Sequence, residues 1–142
     1  MNFRIDIPKD VGIILNTLNK NGYEAYIVGG CVRDSILNYN PKDWDITTKA
    51  KPEEIIDLFD KVLLTGIKHG TVTVILNSQG YEITTYRTDG EYEDNRHPKQ
   101  VNFVSNLKED LARRDFTINA MAYNKIDGLI DYFEGVNDLK KK

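Results

Sequence analysis

The 142-residue chain carries 19 Lys and Arg against 22 Asp and Glu, a formal net charge of −3 that offers no global basic field to nucleic acid. Hydrophobic residues at 40% and charged residues at 29% are the balance of a globular domain with one core. The lone Cys31 excludes an internal disulfide and suits a reducing, cytoplasmic setting; no apolar run reaches membrane-span length, so no membrane partner is expected, and the polar start Met1-Asn2-Phe3-Arg4 does not read as a secretory signal.

Asp6 and Pro8 suit a helix start, after which Val11, Ile14, Leu15 and Leu18 recur at helical spacing until Asn21-Gly22 ends the run. Residues 23–28 read as a buried strand stopping at Gly29-Gly30, followed by a short helix over 31–37 and a loop over 38–42. A second strand is expected over 43–48, then a helix opened by Pro52 with Ile55, Ile56 and Phe59 inward. Two β-rich runs, 71–76 and 81–86, are joined by Asn77-Ser78-Gln79-Gly80, a hairpin signal. Residues 89–100 are polar and acidic and read as a mobile loop. Residues 106–114 suit a helix, a helical turn is expected near 117–121, and Asp127-Gly128 marks a hairpin between 122–126 and 129–132. The expectation is one α+β domain with a mixed sheet flanked by helices, without internal repeats.

The chemistry concentrates in two stretches. Gly29-Gly30 lets backbone N–H groups approach an anion closely, because no Cβ intervenes, and Arg33 follows one helical turn later, placed to meet a phosphate. Asp43 and Asp45, at i and i+2 of a strand, project from one face and can share divalent cations, leaving Trp44 and Ile46 for the core. An isolated Asp-x-Asp is more often a turn cap and an exposed acid. The glycine turn before it, and Glu82 in the following hairpin, reverse that balance. Glu82 alternates with Tyr81 and Ile83, so a strand beside the aspartates would add a third carboxylate. Three such acids would repel one another without cations, and clustered carboxylates suit the two-metal clamp of phosphoryl transfer, with Mg2+ the natural ion. Arg113-Arg114-Asp115 is either a cationic helix end or an arginine on a nucleotide, with Asp115 bonding a ribose hydroxyl or bracing that arginine. Lys68-His69-Gly70 reads as turn chemistry, since His69 lacks a neighbouring His or Cys ligand.

These residues carry a family resemblance. Gly29-Gly30-Cys31-Val32-Arg33-Asp34 with Asp43-Trp44-Asp45-Ile46-Thr47-Thr48 resembles the first motif of the polymerase-β-like nucleotidyltransferases. More narrowly, it is similar to class II tRNA nucleotidyltransferases, the CCA-adding enzymes, and their bacterial poly(A) polymerase relatives. The stretch from Asp110 to Ala120, DLARRDFTINA, resembles their second motif, and residues 66–74, 81–87 and 92–98 are similar to the bacterial members. The likeness covers roughly residues 20–140.

The resemblance implies a polymerase-β-like fold. It implies that Asp43 and Asp45 bind catalytic Mg2+, with Glu82 as third acid, and that Gly30 and Arg33 hold the triphosphate of ATP or CTP, with Gly29 shaping the turn. It also implies that Arg114 contacts the nucleotide, that Asp115 favours ribose, and that residues 88–103 correspond to a loop moving between C and A addition. The reaction implied is in-line attack of a tRNA 3′-hydroxyl on the α-phosphate, releasing pyrophosphate. Family members are longer, with helical neck, body and tail domains after the head. The expectation is therefore that residues 1–142 form a catalytic head without those domains, poor at selecting C over A and at gripping tRNA, and open to self-association through its C-terminal face. A poly(A) polymerase head, a C-only or A-only adding head, and a non-catalytic nucleotide-binding fragment stand as alternatives.

Overall fold

The computed structural model describes residues 4–89, 101–114 and 116–140. Helix α1 (Lys9–Lys20) forms where the periodicity placed it, burying Val11, Ile14, Leu15 and Leu18, and ends at Asn21 before Gly22 at φ +89°. Strand β1 (Ala25–Val28) is buried at all four positions. The reason is that both its faces are covered. Ala25 and Ile27 join the cluster built on α1, whereas Tyr26 and Val28 join a second cluster with Leu107 and Leu111.

Helix α2 (Gly30–Ile36) leads to β2 (Asp45–Thr48), helix α3 (Pro52–Leu58) and strands β3 (Val62–Gly66), β4 (Thr71–Leu76) and β5 (Gln79–Thr85), with a 3-10 turn at Ile67–His69. Short strands β6 (Arg87–Asp89) and β7 (Val101–Phe103) pair by themselves. Helix α4 (Leu107–Ala112), a 3-10 turn at Thr117–Asn119, strands β8 (Ala122–Asn124) and β9 (Gly128–Ile130), and helix α5 (Gly135–Lys140) complete the chain. The seven-stranded sheet has the order β3-β4-β5-β2-β1-β8-β9. Its β2–β5 pair is parallel and the others antiparallel, the mixed α+β sheet expected. Among the described residues no helix is long and apolar enough to cross a membrane.

Several boundaries differ from the sequence reading, each for a local reason. Strand β2 begins at Asp45, leaving Asp43 in the preceding loop. The first hairpin turns on Asn77 and Ser78 alone, both at positive φ (+50° and +66°), so Gln79 and Gly80 belong to β5. Ile56 is 38% exposed, since its neighbour Ile55 occupies the inward position about 100° away around the helix. Helix α4 stops at Ala112, so Arg113 and Arg114 lie beyond its last turn. Strand β3 was not expected: Leu63 and Leu64 face solvent and leave no alternation, and the strand exists through pairing with β4. Helix α5 starts where both Asp131 carboxylate oxygens accept hydrogen bonds from Gly135 N (2.6 Å) and Val136 N (3.0 Å). The expected loop over 89–100 falls, beyond Asp89, outside the described residues.

Candidate active site

The end of β1 builds the first wall. Gly29 sits at φ +82° and ψ −137°, a conformation that side-chain-bearing residues rarely adopt. Its carbonyl accepts hydrogen bonds from Val32 N (3.1 Å) and Arg33 N (3.2 Å), and its own N–H donates to Met121 O (3.3 Å). Buried Cys31 and Val32 anchor the turn from below. The Arg33 guanidinium folds back over Gly30, donating through Nη1 to Asn119 Oδ1 (2.8 Å) and through Nε to Asp34 Oδ1 (3.0 Å). A Cβ on Gly30 would come within 3.2 Å of Arg33 Nη2.

Strand pairing brings the acids to the same place. Asp45 pairs with Val28 at the end of β1, beside the glycine turn. In the parallel ladder Ile46 pairs with Ile83, which sets Asp45 and Glu82 side by side, one residue earlier on each strand. Asp43, Asp45 and Glu82 line one open cleft of about 770 Å³ with Lys42, Trp44, Thr73 and Tyr81. The Asp45 carboxyl is raised above its ordinary value. Although the residue opens to the cleft, loss of water is the largest cause; then Glu82 raises it, Arg114 opposes, and Asp43 adds to the rise. Its pKa therefore registers both other acids. Among the described residues, no group of three or more His, Cys, Asp or Glu side chains is placed to hold a metal ion by itself. An all-oxygen donor set of mutually repelling carboxylates fits a hard divalent cation such as Mg2+.

The cationic wall comes from the end of α4. Arg114 Nη1 lies 3.7 Å from the position a Cβ on Gly29 would take, so the guanidinium rests against the turn. Burial, then the Arg113 charge, lowers the Arg114 pKa from its ordinary value, and Asp110 and Asp45 oppose that. Among the described residues, Arg114 Nε is buried without a hydrogen-bond partner, as is Arg113 Nε, which lies 3.5 Å from Asp110 Oδ1. Charge that is held but incompletely paired suits an anionic ligand.

Gly29, Gly30, Arg33, Asp43, Asp45, Glu82 and Arg114 thus come together around the end of β1, the start of β2 and the middle of β5. Asp115 lies outside the described residues. Two residues at the site were not singled out from sequence: Asn119, which holds Arg33, and Asp110, which holds both arginines. A signal for Asp110 was present, since an acid three and four residues before two arginines reads as a helical ion-pair pattern.

Residues 25–142 match the family described as the Poly A polymerase head domain. A CCA-adding enzyme of Oceanobacillus iheyensis is 57% identical over 129 residues, covering 91% of this chain and 32% of that protein. One of Lactobacillus johnsonii is 55% identical over 128 residues, covering 90% and 32%. Among solved structures, the Bacillus stearothermophilus CCA-adding enzyme in complex with CTP superposes with a TM-score of 0.83 at 42% identity, covering 93% of this chain and 31% of that one. A tRNA nucleotidyltransferase complexed with a primer tRNA and an incoming ATP analogue superposes at 0.66 and 35% identity, covering 93% and 37%. The chain spans about a third of the length of the curated relatives it matches.

Proposed function

This chain belongs to the poly A polymerase head domain family, and we propose that it carries the metal- and triphosphate-binding half of nucleotidyl transfer from CTP or ATP to the 3′ end of tRNA. The observation carrying this reading is the parallel β2–β5 pairing, which sets Asp45 beside Glu82 on the cleft that Asp43 also lines. The glycine turn lies against Asp45 through the β1–β2 pairing.

In this proposal Asp43 and Asp45 hold Mg2+, with Glu82 as the third acid. When bound, such ions would supply the positive charge that stabilises an in-line phosphoryl displacement. Gly29 and Gly30 keep the turn free of side chains where the triphosphate lies. Arg33 and Arg114 supply its charge-assisted hydrogen bonds, and Asp115 favours ribose. Among the related activities, CCA addition is preferred because curated relatives at 57%, 55% and 50% identity bear that name. A reducing, cytoplasmic setting belongs to the same proposal, supported by the single cysteine, free and buried. Self-association through the C-terminal face is a further expectation, read by light scattering on the purified chain.

The test is incorporation of radiolabelled CTP and ATP into tRNA lacking its 3′ end. Magnesium-dependent incorporation is expected, falling roughly a thousandfold or more in Asp43→Ala and Asp45→Ala. Incorporation that survives both substitutions would sink the carboxylate assignment.

A further inference from the structure

Asp110 is fully buried, and no residue of the proposed chemistry accounts for a charge at that depth. Its carboxylate is shared among four groups from three parts of the chain. Oδ1 accepts the backbone N–H of Arg87 at 3.0 Å and faces Arg113 Nε at 3.5 Å. Oδ2 accepts the Thr47 hydroxyl at 3.1 Å and faces Arg114 Nη2 at 3.5 Å. Thr47 stands two residues after Asp45 on β2, hence on the same face of the strand, and Arg87 opens β6 just beyond β5. One carboxylate therefore ties the cationic end of α4 to β2, which carries Asp45, and to the start of β6, which follows the Glu82 strand β5.

Stability alone is a weak reason for such a group. A buried ion pair recovers its desolvation cost poorly, and an apolar replacement of similar volume is often as stable. The arrangement does supply registry. Arg114 is attached to β2 through Asp110 while its other edge rests against Gly29. We propose that Asp110 is a positioning residue for triphosphate binding, orienting the Arg114 guanidinium across the Gly29–Gly30 turn relative to the carboxylates on β2 and β5. This rests on the function proposed above.

The positioning role and plain charge counting predict opposite signs. Neutralising Asp110 raises the net positive charge beside the turn, which by Coulomb attraction alone tightens an anion. If Asp110 orients Arg114, the same change weakens binding. Trp44, the sole tryptophan, lines the cleft between Asp43 and Asp45 and serves as a fluorescence probe on the whole chain.

Mg2+ alone and Mg·CTP are titrated against the parent chain, Asp110→Asn and Thr47→Val. Mg2+ binding within about twofold of the parent, with Mg·CTP weakened about tenfold or more in Asp110→Asn, is expected for a lost charge-assisted contact. Thr47→Val, which removes only the link to β2, is expected to weaken Mg·CTP about threefold and leave Mg2+ unchanged. A general loosening of the structure would move both ligands together, and that outcome overturns the positioning role. Parent-like or tighter Mg·CTP binding in Asp110→Asn overturns it too. Should Asp110→Asn fail to fold, Thr47→Val decides alone, and parent-like Mg·CTP affinity there overturns the role. A parent chain that binds no Mg·CTP overturns the proposed function along with it, whereas binding in the parent confines any failure to Asp110.

Discussion

Single positions explain much of how the site is held. Gly29 needs its φ of +82°, and a Cβ there would meet Arg114 Nη1 only at ordinary contact distance, 3.7 Å. The cost of Gly29→Ala is therefore mainly backbone strain, about 1–3 kcal/mol, read as a lower urea midpoint, together with weaker Mg·CTP binding as the turn shifts. Cys31 is 3% exposed, and burial, the leading cause, raises its thiol to about 11. It should react with a thiol reagent at pH 8 at the rate of local opening rather than of a free thiolate; a rapid stoichiometric reaction in the native chain would contradict this. From sequence, Gly29, Gly30, Asp43 and Asp45 stood out because a tight turn and closely spaced carboxylates are patterns of particular residue types at short spacing. Asn119 and the link from Asp110 to β2 did not, because Arg33 and Thr47 lie 86 and 63 positions from their partners.

At the level of elements, α4 is a six-residue helix that nevertheless carries the group binding both arginines. An isolated helix of that length is not stable in water, so its cap and its packing matter. The Asn106 side chain accepts the Glu109 N–H at 2.9 Å. Asn106→Ala should cost about 1 kcal/mol in chemical denaturation. Leu111→Ala, which empties a fully buried position between α4 and β1, should cost about 2–5 kcal/mol by the same measurement. A smaller loss for Leu111→Ala than for Asn106→Ala would show that the cap, not the packing, holds α4. Elements with strong periodicity or turn chemistry, such as α1 and the β4–β5 hairpin, could be read from sequence. Strand β3 could not, because an edge strand with exposed Leu63 and Leu64 takes its form from its neighbour β4. Helix α5 was equally hidden, since its start depends on Asp131 and its packing on Leu139.

Across the whole molecule, three buried groups set the behaviour in alkali. Tyr26 and Tyr86 are raised above the ordinary phenol value, burial first in each case, with Asp127 or Glu24 adding to it. Cys31 is raised from 9.0 to about 11. Each group binds its proton more tightly when folded, so the stability it contributes is complete below its unfolded pKa and is lost as pH climbs through the folded one. The urea midpoint should therefore hold up to about pH 9 and fall from there toward pH 11. Tyr86→Phe should flatten that fall while lowering stability at neutral pH, where the 3.0 Å bond from Tyr86 Oη to Glu24 is missing. A midpoint that stays constant to pH 11 would contradict the assignment.

The sequence by itself determined which residues the proposed chemistry would use: a glycine turn, paired aspartates, an alternating glutamate and an arginine pair are local patterns, written in neighbouring residues. It also determined the α+β character, because periodicity and turn residues act over a few positions. Only the tertiary structure decided that β2 runs parallel to β5 and so sets Asp45 beside Glu82. It alone decided, too, that a buried carboxylate on α4 joins Arg114 to β2. Strand order and the Asp110–Thr47 link come from long-range burial and desolvation, which depend on what surrounds a residue in space and leave no short-range mark in the chain.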